Sequence, residues 1–342
     1  MERADRRYWG VVTANVPVSV LTAQARQMEE MGLEGLFAPQ MYGPPFVPLA
    51  AAAAVTSRIK LASGVALAFA RSPFETAMAA MDLDRISGGR FVLGLGPSVR
   101  VFNEDFCGVS YGKPLERLRE TVAVIKSLIE KSHTGELKAF RGKYYNLDFG
   151  QFQPLSEPIR TSVPIWIAAL RRPLVRLAAE IADGVMGHPI WSIPWATSKV
   201  HDALKEGLQR AGKQRSDIRF IVWLFAAPNR DRGQSVDDAR ATVAFYAGIA
   251  QYEEYFAAHG FRAEANRIQE STRTGGYRSA AKLVPQDMAE TFVVCGTPDE
   301  VRRKIEPVWD VADGLCLVPP AYGLSQENLL RYVTTIAASL DV

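Results

Sequence analysis

Four glycines flank one apolar run of the sequence. Because glycine has no side chain, such a run can bring its backbone close to a ligand. Gly88–Gly89 precede the strand-like Phe91–Leu93, and Gly94 and Gly96 follow it. The spacing of the last two glycines suits the start of a dinucleotide fingerprint, in which bare backbone approaches a pyrophosphate. The third glycine of that fingerprint is missing because Val99 stands in its place. The fingerprint is therefore rejected, and Gly94 and Gly96 predict either close packing or a ligand of another kind.

Residue types that bind metals or form disulfides are few and scattered. The histidines show no ligand spacing, and the cysteines are odd in number and widely separated, which is typical of reduced thiols. They are His133, His188, His201 and His259, with Cys107, Cys295 and Cys316. The sequence therefore predicts no metal site and no disulfide framework.

The composition and the net charge exclude several classes of protein. The chain has 342 residues, 48% of them hydrophobic, and a net charge of +3. This charge is too small, and too evenly spread, to indicate nucleic acid or an acidic membrane as a partner. No stretch reaches the ~18 apolar residues of a membrane span, and the N-terminus "MERADRRYWG" has no signal-peptide core. We expect a cytoplasmic enzyme-sized protein.

Short apolar runs alternate with longer amphipathic stretches, as in parallel sheets whose strands are joined by helices. The stretches "SVLTAQARQMEEMG", "PFETAMAAMDLDRIS", "PLERLRETVAVIKSLIEK" and "PLVRLAAEIADG" are predicted helices. The predicted strands are Tyr8–Val16, Gly35–Gln40, Ile59–Leu67, Phe91–Gly96, Pro164–Leu170, Gly184–Ile190, Ile218–Pro228 and Gly314–Pro319. Eight such units favour an α/β fold of the (β/α)₈ TIM barrel type. A doubly wound sheet is less favoured because "TANVPVSV", after the first strand, holds no glycine for a phosphate loop.

Two segments are longer than a plain barrel requires. Lys131–Val163, before the fifth strand, is rich in aromatic residues, glycine and proline and predicts a long loop or hairpin. Arg232–Glu290, after the seventh strand, is helical in character. We expect one domain, residues 1–342, with a helical insertion at about 232–290. This insertion would form one side of a pocket at the strand ends.

Three blocks of this sequence resemble the luciferase-like monooxygenase family of flavin and deazaflavin enzymes. They are "SRIKLASGVALAFARSPFETAMAAMDLDRI", the "SGGRFVLGLG" that follows it, and "VPIWIAALRRPLVRLAAEIADGVMGHPI". The resemblance extends from about Tyr8 to the C-terminal helix. "SPFETAMAAMDLDRISGGRF" and "FYAGIAQYEEYFAAHGF" are most similar to the branch that uses coenzyme F420, a 5-deazaflavin.

The resemblance implies a (β/α)₈ barrel that holds a flat tricyclic ring across its strand ends. It also implies a bulge with a non-proline cis peptide at Ser63–Val65, and a phosphate held where "IAALRRPLVRL" passes from a strand into a helix, beside Arg171 and Arg172. Under this reading Gly94 and Gly96 are bare so that the ring can approach. The implied cofactor-binding residues are Asn15, Gln40, Ser63, Gly64, Val65, Gly94, Gly96, Pro97, Ser98, Ala169, Leu170, Arg171, Gly187 and His188.

The proton donor must differ from that of many relatives. After the second strand the family often has an acidic residue and a histidine, whereas this chain has Gln40, Met41 and Tyr42. Tyr42, Glu104 and His188 are the predicted catalytic residues. For each the alternative is purely structural: Tyr42 would pack over the substrate, Glu104 would be a solvated loop residue, and His188 would be a packed strand-end residue.

The implied activity is hydride transfer between reduced F420 and an electron-poor small organic substrate. Carbon at position 5 removes the easy reaction with oxygen, so oxygenation is not implied. Two alternatives stay open: an FMN-dependent two-component monooxygenase of the same fold, and a barrel that binds a flavin without turnover. The expected partners are a small-molecule substrate and a separate cofactor-reducing enzyme, with a homodimer allowed.

Overall fold

The computed structural model describes residues 6–13, 15–40 and 43–340, and the eight predicted barrel strands are all present among them. The strands are β1 (Tyr8–Val11), β2 (Gly35–Ala38), β3 (Lys60–Ser63), β4 (Ala66–Leu67), β5 (Phe91–Gly96), β6 (Phe140–Arg141), β7 (Asn146–Leu147), β8 (Ile165–Ala168), β9 (Gly184–Met186), β10 (Arg219–Pro228), β11 (Val293–Gly296) and β12 (Gly314–Val318). The helices are α1 (Val18–Glu30), α2 (Phe46–Ala53), α3 (Pro73–Ser87), α4 (Pro114–Lys131), α5 (Arg172–Ile181), α6 (His201–Ala211), α7 (Arg232–Ala247), α8 (Glu253–Ala257), α9 (Arg262–Ala280), α10 (Gln286–Phe292), α11 (Pro298–Ile305) and α12 (Gln326–Ala337).

The architecture is the predicted (β/α)₈ barrel, and its residues group into two compact units. The N-terminal unit comprises Trp9–Met186 and Ala203–Arg219. Its parallel strands follow the order β1, β2, β3, β5, β8, β9. Within the described ranges, the C-terminal unit comprises residues 6–8, Gly187–Asp202 and residues 220–340, and β10 pairs there in parallel with β11 and with β12.

Helix α3 and strand β5 show how local signals fix the elements around the glycine-bracketed run. The Ser72 hydroxyl accepts a hydrogen bond from the Glu75 N–H at 3.0 Å, and Pro73 occupies the first turn. Gly88 ends the helix with a left-handed φ of 67°, a conformation that glycine adopts without a steric penalty. The predicted helix end is therefore confirmed, and the β5 residues that follow are all buried.

The segment before the fifth barrel strand contains the predicted hairpin. β6 and β7 pair antiparallel, with Phe140 opposite Leu147. Glu120 of α4 fixes the turn, because its carboxylate accepts hydrogen bonds from the N–H groups of Lys143 at 2.9 Å and Tyr144 at 2.8 Å.

The segment after the seventh barrel strand is helical, as predicted, and holds α7 to α10. Strand β11, which follows it, was not predicted from the sequence. Within the residues that the structure describes, no helix combines the length and apolar character that crossing a membrane requires.

Candidate functional site

Two residues at strand ends of the N-terminal unit have an unusual backbone conformation. Asn15, after β1, has a φ of 60°, and Ser98, after β5, has a φ of 58°. They are the only non-glycine residues with a positive φ in the described ranges, and both are predicted cofactor-binding residues. Parallel neighbours end at the same edge of a sheet, and barrel active sites form at the carboxyl ends of strands. Left-handed residues at such an edge indicate a functional constraint.

The bulge between β3 and β4 lies at this edge. The Gly64–Val65 peptide bond is cis, as predicted. The buried Ser63 hydroxyl donates to the Gly94 carbonyl and accepts from the Gly94 N–H, each at 2.8 Å. This pair of hydrogen bonds locks the end of β3 onto β5.

This bulge explains why β5 has glycine, which carries no side chain, at positions 94 and 96. A Cβ atom at Gly94 would lie 1.8 Å from the Ser63 carbonyl oxygen and 2.7 Å from the Met186 methyl group. At Gly96 it would lie 3.0 Å from the Val65 side chain. Close packing, the alternative interpretation, is therefore sufficient to explain Gly94. Whether either glycine also contacts a cofactor stays a prediction.

The Pro97–Ser98 turn is held by the loop that follows it. Asn103, only 1% exposed, donates from Nδ2 to the Pro97 carbonyl at 2.9 Å, and its Oδ1 is buried without a partner. The Tyr111 hydroxyl donates to the Ser98 carbonyl at 3.0 Å. Sequence reasoning did not identify Tyr111 as a support of this turn, because the contact links residues 13 apart through a π-helical turn.

Glu104 belongs to the same loop. Its carboxylate accepts a hydrogen bond from the Arg100 side chain at 2.7 Å and another from the Tyr111 N–H at 3.1 Å. These contacts hold the loop together, so the geometry favours the structural alternative for Glu104. Its catalytic role is not tested by the structure.

Gln40, after β2, is fixed by its neighbours. Its side-chain oxygen accepts hydrogen bonds from the Leu67 N–H at 3.0 Å and from Arg71 at 2.6 Å and 3.2 Å. Burial lowers the pKa of the Arg71 guanidinium, which lies over the Phe46 ring at 5.4 Å. Sequence reasoning did not identify Arg71. The predicted catalytic Tyr42 lies outside the described residues, as does Met41.

The predicted phosphate side lies where β8 passes into α5. The Ala169 N–H donates to the Met186 carbonyl at 3.0 Å, which pairs β8 with β9, and Leu170 follows as the connecting residue. No side chain caps the start of α5 at Arg171, which is exposed and forms no ion pair within the described ranges. Arg172 pairs with Glu206 at 2.6 Å, and its Nε is buried without a partner. An uncapped helix start beside arginines suits an anion.

In the C-terminal unit, Gly187 and His188 follow directly after β9. A Cβ atom at Gly187 would lie 2.7 Å from the Trp191 ring, so this glycine also serves packing. His188 Nδ1 accepts a hydrogen bond from the Ile190 N–H at 3.2 Å, and its Nε2 lies 3.0 Å from the Tyr252 hydroxyl. Because Nδ1 is an acceptor, a neutral ring carries its proton on Nε2 and donates it to Tyr252.

His188 adjoins an aromatic cluster, defined here as Phe245, Tyr246, Tyr252, Tyr277 and Tyr322. The His188 ring meets Tyr246 edge-on at 5.0 Å, and Phe245 stacks on Tyr322 at 3.8 Å. Burial lowers the pKa of His188 to about 3 and raises the pKa of Tyr246, which shares a hydrogen bond with Tyr322. The signal that sequence reasoning missed is the spacing of aromatic residues in "FYAGIAQYEEY".

Among the described residues, no group of three or more histidine, cysteine or carboxylate side chains is arranged to bind a metal ion.

Comparison with known proteins identifies similar chains. The model of the family described as luciferase-like monooxygenase matches residues 7–310. A Mycobacterium tuberculosis protein named "Putative coenzyme F420-dependent oxidoreductase" is 28% identical over 93% of this chain and 94% of its own. The 5,10-methylenetetrahydromethanopterin reductase of Archaeoglobus fulgidus is 32% identical over 73% of each chain. The solved structure of the F420-dependent tetrahydromethanopterin reductase from Methanopyrus kandleri superimposes with a TM-score of 0.80 at 23% identity, covering 98% of each chain.

Proposed function

The chain belongs to the luciferase-like monooxygenase family, and we propose that within it the protein is an oxidoreductase that uses coenzyme F420. The reaction is hydride transfer between the reduced deazaflavin and an electron-poor small organic substrate. The use of a flavin-type cofactor is shared across the family. F420 is the specific proposal, and FMN is the alternative.

The observation that carries the proposal is the constrained edge of the N-terminal unit. Asn15 and Ser98 have a positive φ after β1 and β5, and the buried Ser63 hydroxyl ties the end of β3 to Gly94 of β5. A ligand site explains why non-glycine residues keep this conformation. The choice of F420 rests on the mycobacterial relative, whose name states this cofactor and whose alignment spans most of both chains.

The residues present fit an anionic cofactor tail. The uncapped start of α5 and the exposed Arg171 would hold a phosphate, because helix N–H groups and a guanidinium both favour an anion. Gln40 would present a fixed polar edge, since Arg71 and the Leu67 N–H hold its oxygen in place. When bound, F420 supplies two-electron hydride chemistry at its ring. The protein orients both reactants, which lowers the entropic part of the barrier.

Titration of the purified protein with F420 and with FMN tests the proposal. We expect F420 to bind at least about tenfold more tightly, a difference of about 1.4 kcal/mol. Arg171→Ala should weaken F420 binding by about tenfold or more through loss of a charge-assisted contact. Arg303→Ala is the matched control, because Arg303 is also exposed but lies on α11.

Equal or tighter binding of FMN, together with oxygen consumption, would instead identify a two-component monooxygenase that receives reduced flavin from a reductase. Binding without turnover of any substrate would favour the non-catalytic alternative. The separate reducing enzyme, the homodimer and the single-domain organisation stay predictions.

A further inference from the structure

A cleft lies beside the β6–β7 hairpin at the start of α4. It has a volume of about 170 Å³ and is lined by Val109, Ser110, Gly112, Arg117 and Tyr144. All five residues belong to the N-terminal unit. A space of about 150 Å³ holds a molecule the size of benzene, so the cleft can admit a small organic ligand.

Arg117 supplies the positive charge of this cleft, and its guanidinium is held in one orientation. Nη1 donates to the Ser110 carbonyl at 2.5 Å, and Nε donates to the Tyr145 hydroxyl at 3.3 Å. The group also lies over the Phe69 ring at 4.4 Å, a favourable cation–π distance. Within the described ranges Nη2 has no hydrogen-bond partner, and it is not buried. Its N–H groups are therefore fixed and accessible before a ligand arrives.

Arg117 forms no ion pair within the described ranges, whereas the carboxylates on the first two turns of α4 already have partners. Glu116 pairs with Lys143 at 2.6 Å and with Lys113 at 3.3 Å. Glu120 accepts the hydrogen bonds of the hairpin turn. The positive charge of Arg117 is therefore left for an anion from outside the chain.

The rest of the cleft suits an apolar body. The half-buried Tyr144 contributes its ring, and Val109 contributes an aliphatic side chain. A Cβ atom at Gly112, whose φ is 58°, would contact the Tyr144 ring at 3.6 Å, so a larger side chain here would narrow the cleft. A planar guanidinium binds a carboxylate through two parallel hydrogen bonds. A carboxylate on a flat apolar group matches this lining better than an inorganic anion does.

We propose that this cleft binds a small organic acid, with its carboxylate on Arg117 and its apolar body against Tyr144 and Val109. Binding here requires neither F420 nor hydride transfer, so it goes beyond the proposed function. Tyr111 connects the cleft to the Ser98 turn, because it lies between two lining residues and its hydroxyl donates to the Ser98 carbonyl at 3.0 Å. An acid that fixes this loop would therefore also stabilise the Ser98 turn.

Benzoate is the probe, and the full-length protein is titrated with it while ¹H–¹⁵N NMR spectra are recorded. We expect saturable binding with a Kd of about 1 mM or below. The backbone N–H resonances of Ser110, Gly112 and Tyr144 should shift. Benzyl alcohol lacks the charge, and acetate and inorganic phosphate lack the ring, so each should bind about tenfold or more weakly.

Substitution of Arg117 tests the carboxylate contact. Arg117→Met removes the charge and should weaken benzoate binding by about tenfold or more. Arg117→Lys keeps the charge without the paired N–H geometry and should restore part of that loss. Arg119→Gln is the matched control, because Arg119 is on the same helix but pairs with Glu180 and does not line the cleft. Its affinity for benzoate should be unchanged.

Substitution of Tyr144 tests the apolar contact and remains informative if Arg117→Met does not fold. Tyr144→Ala removes the ring and should weaken benzoate binding by about threefold or more, with little effect on acetate. Tyr144→Phe is the matched control, because it keeps the ring and removes only the hydroxyl. Its affinity for benzoate should equal that of the unsubstituted protein.

Four results would overturn the site. They are the absence of saturable benzoate binding below about 10 mM, phosphate or benzyl alcohol binding as tightly as benzoate, equal affinities of Arg117→Met and Arg119→Gln, and shifts confined to the start of α5. The last result would place the anion at Arg171 instead. None of these measurements uses F420, so the failure of the proposed function and the failure of this site are separate outcomes.

Discussion

At the scale of single residues, Gly94 and Gly96 have different neighbours although they belong to one strand. A Cβ atom at Gly94 would penetrate the Ser63 carbonyl oxygen, a backbone atom that the bulge holds in place. A Cβ atom at Gly96 would contact only the Val65 side chain closely, at 3.0 Å. We expect Gly94→Ala to lower the free energy of unfolding by about 3 kcal/mol or more, and Gly96→Ala by about 1 kcal/mol.

Urea unfolding of both variants checks this order. The two alanines are matched controls for each other, because both add one methyl group to β5. Equal stability of the two proteins would show that the bulge can move, and that Gly94 is bare for another reason.

Ser98 allows backbone strain to be separated from side-chain contact. Glycine adopts a φ of 58° more easily than serine, so Ser98→Gly should raise the free energy of unfolding by about 0.5–1 kcal/mol. Ser98→Ala removes the hydroxyl but retains a side chain in the left-handed conformation, and should not stabilise the protein. If the hydroxyl contacts the cofactor, both variants weaken F420 binding by a similar factor. Unchanged binding in both would remove Ser98 from the cofactor site.

At the scale of elements, the turn that follows β9 and a helical segment of the C-terminal unit meet through three hydrogen bonds. His188, Ile190 and Ser192 recur every two residues, and Tyr252, Tyr255 and His259 recur every three or four. Each member of the first set hydrogen-bonds to a member of the second. The Trp191 N–H donates to the His188 carbonyl at 2.8 Å, so the first set lies on a turn, whereas the helical period of 3.6 places the second set on one face of its segment.

Removal of the Ser192 hydroxyl tests this docking. Ser192→Ala removes the partner of the half-buried His259 Nε2 and the acceptor of the Trp195 N–H, so we expect a loss of about 1–3 kcal/mol in the free energy of unfolding. Ser198→Ala is the matched control, because the Ser198 hydroxyl is exposed and donates only to the nearby Pro194 carbonyl. Its removal should lower the free energy of unfolding by under about 0.5 kcal/mol. Hydrogen exchange should accelerate at residues 250–260 in the first variant alone. Equal effects of the two substitutions would contradict the docking.

The sequence predicts elements well where local signals are strong. Helices α3 and α4 have the predicted bounds, because prolines mark their starts and Gly88 marks the end of α3. Strand β11 was not predicted, because four apolar residues after a helix show no periodicity that would distinguish a strand from a helix. The Tyr252–His188 contact escapes because 64 residues separate its partners, and only packing brings them together.

At the scale of the whole molecule, buried neutral histidines make stability depend on pH. An unfolded histidine titrates near 6.5, whereas burial lowers the folded pKa of His188 to about 3 and lowers that of His259 as well. Between these values the unfolded chain binds protons that the folded protein does not. Stability contributed by each group is therefore complete above about pH 6.5 and falls as the pH decreases.

We expect the free energy of unfolding to be flat above about pH 6.5 and to fall below it by up to about 1.4 kcal/mol per pH unit for each histidine. Carboxylates whose pKa is lowered, such as Glu29, add their own loss only as the pH approaches their ordinary value of 4.5. Urea unfolding between about pH 7.5 and 5.5 therefore isolates the histidines. His188→Gln removes one titrating group, so its slope in this window should be shallower than that of the unsubstituted protein, with His259 supplying the remainder. An identical slope in the two proteins would mean that His188 takes up its proton in the folded state, so that Nδ1 could no longer accept the hydrogen bond from the Ile190 N–H.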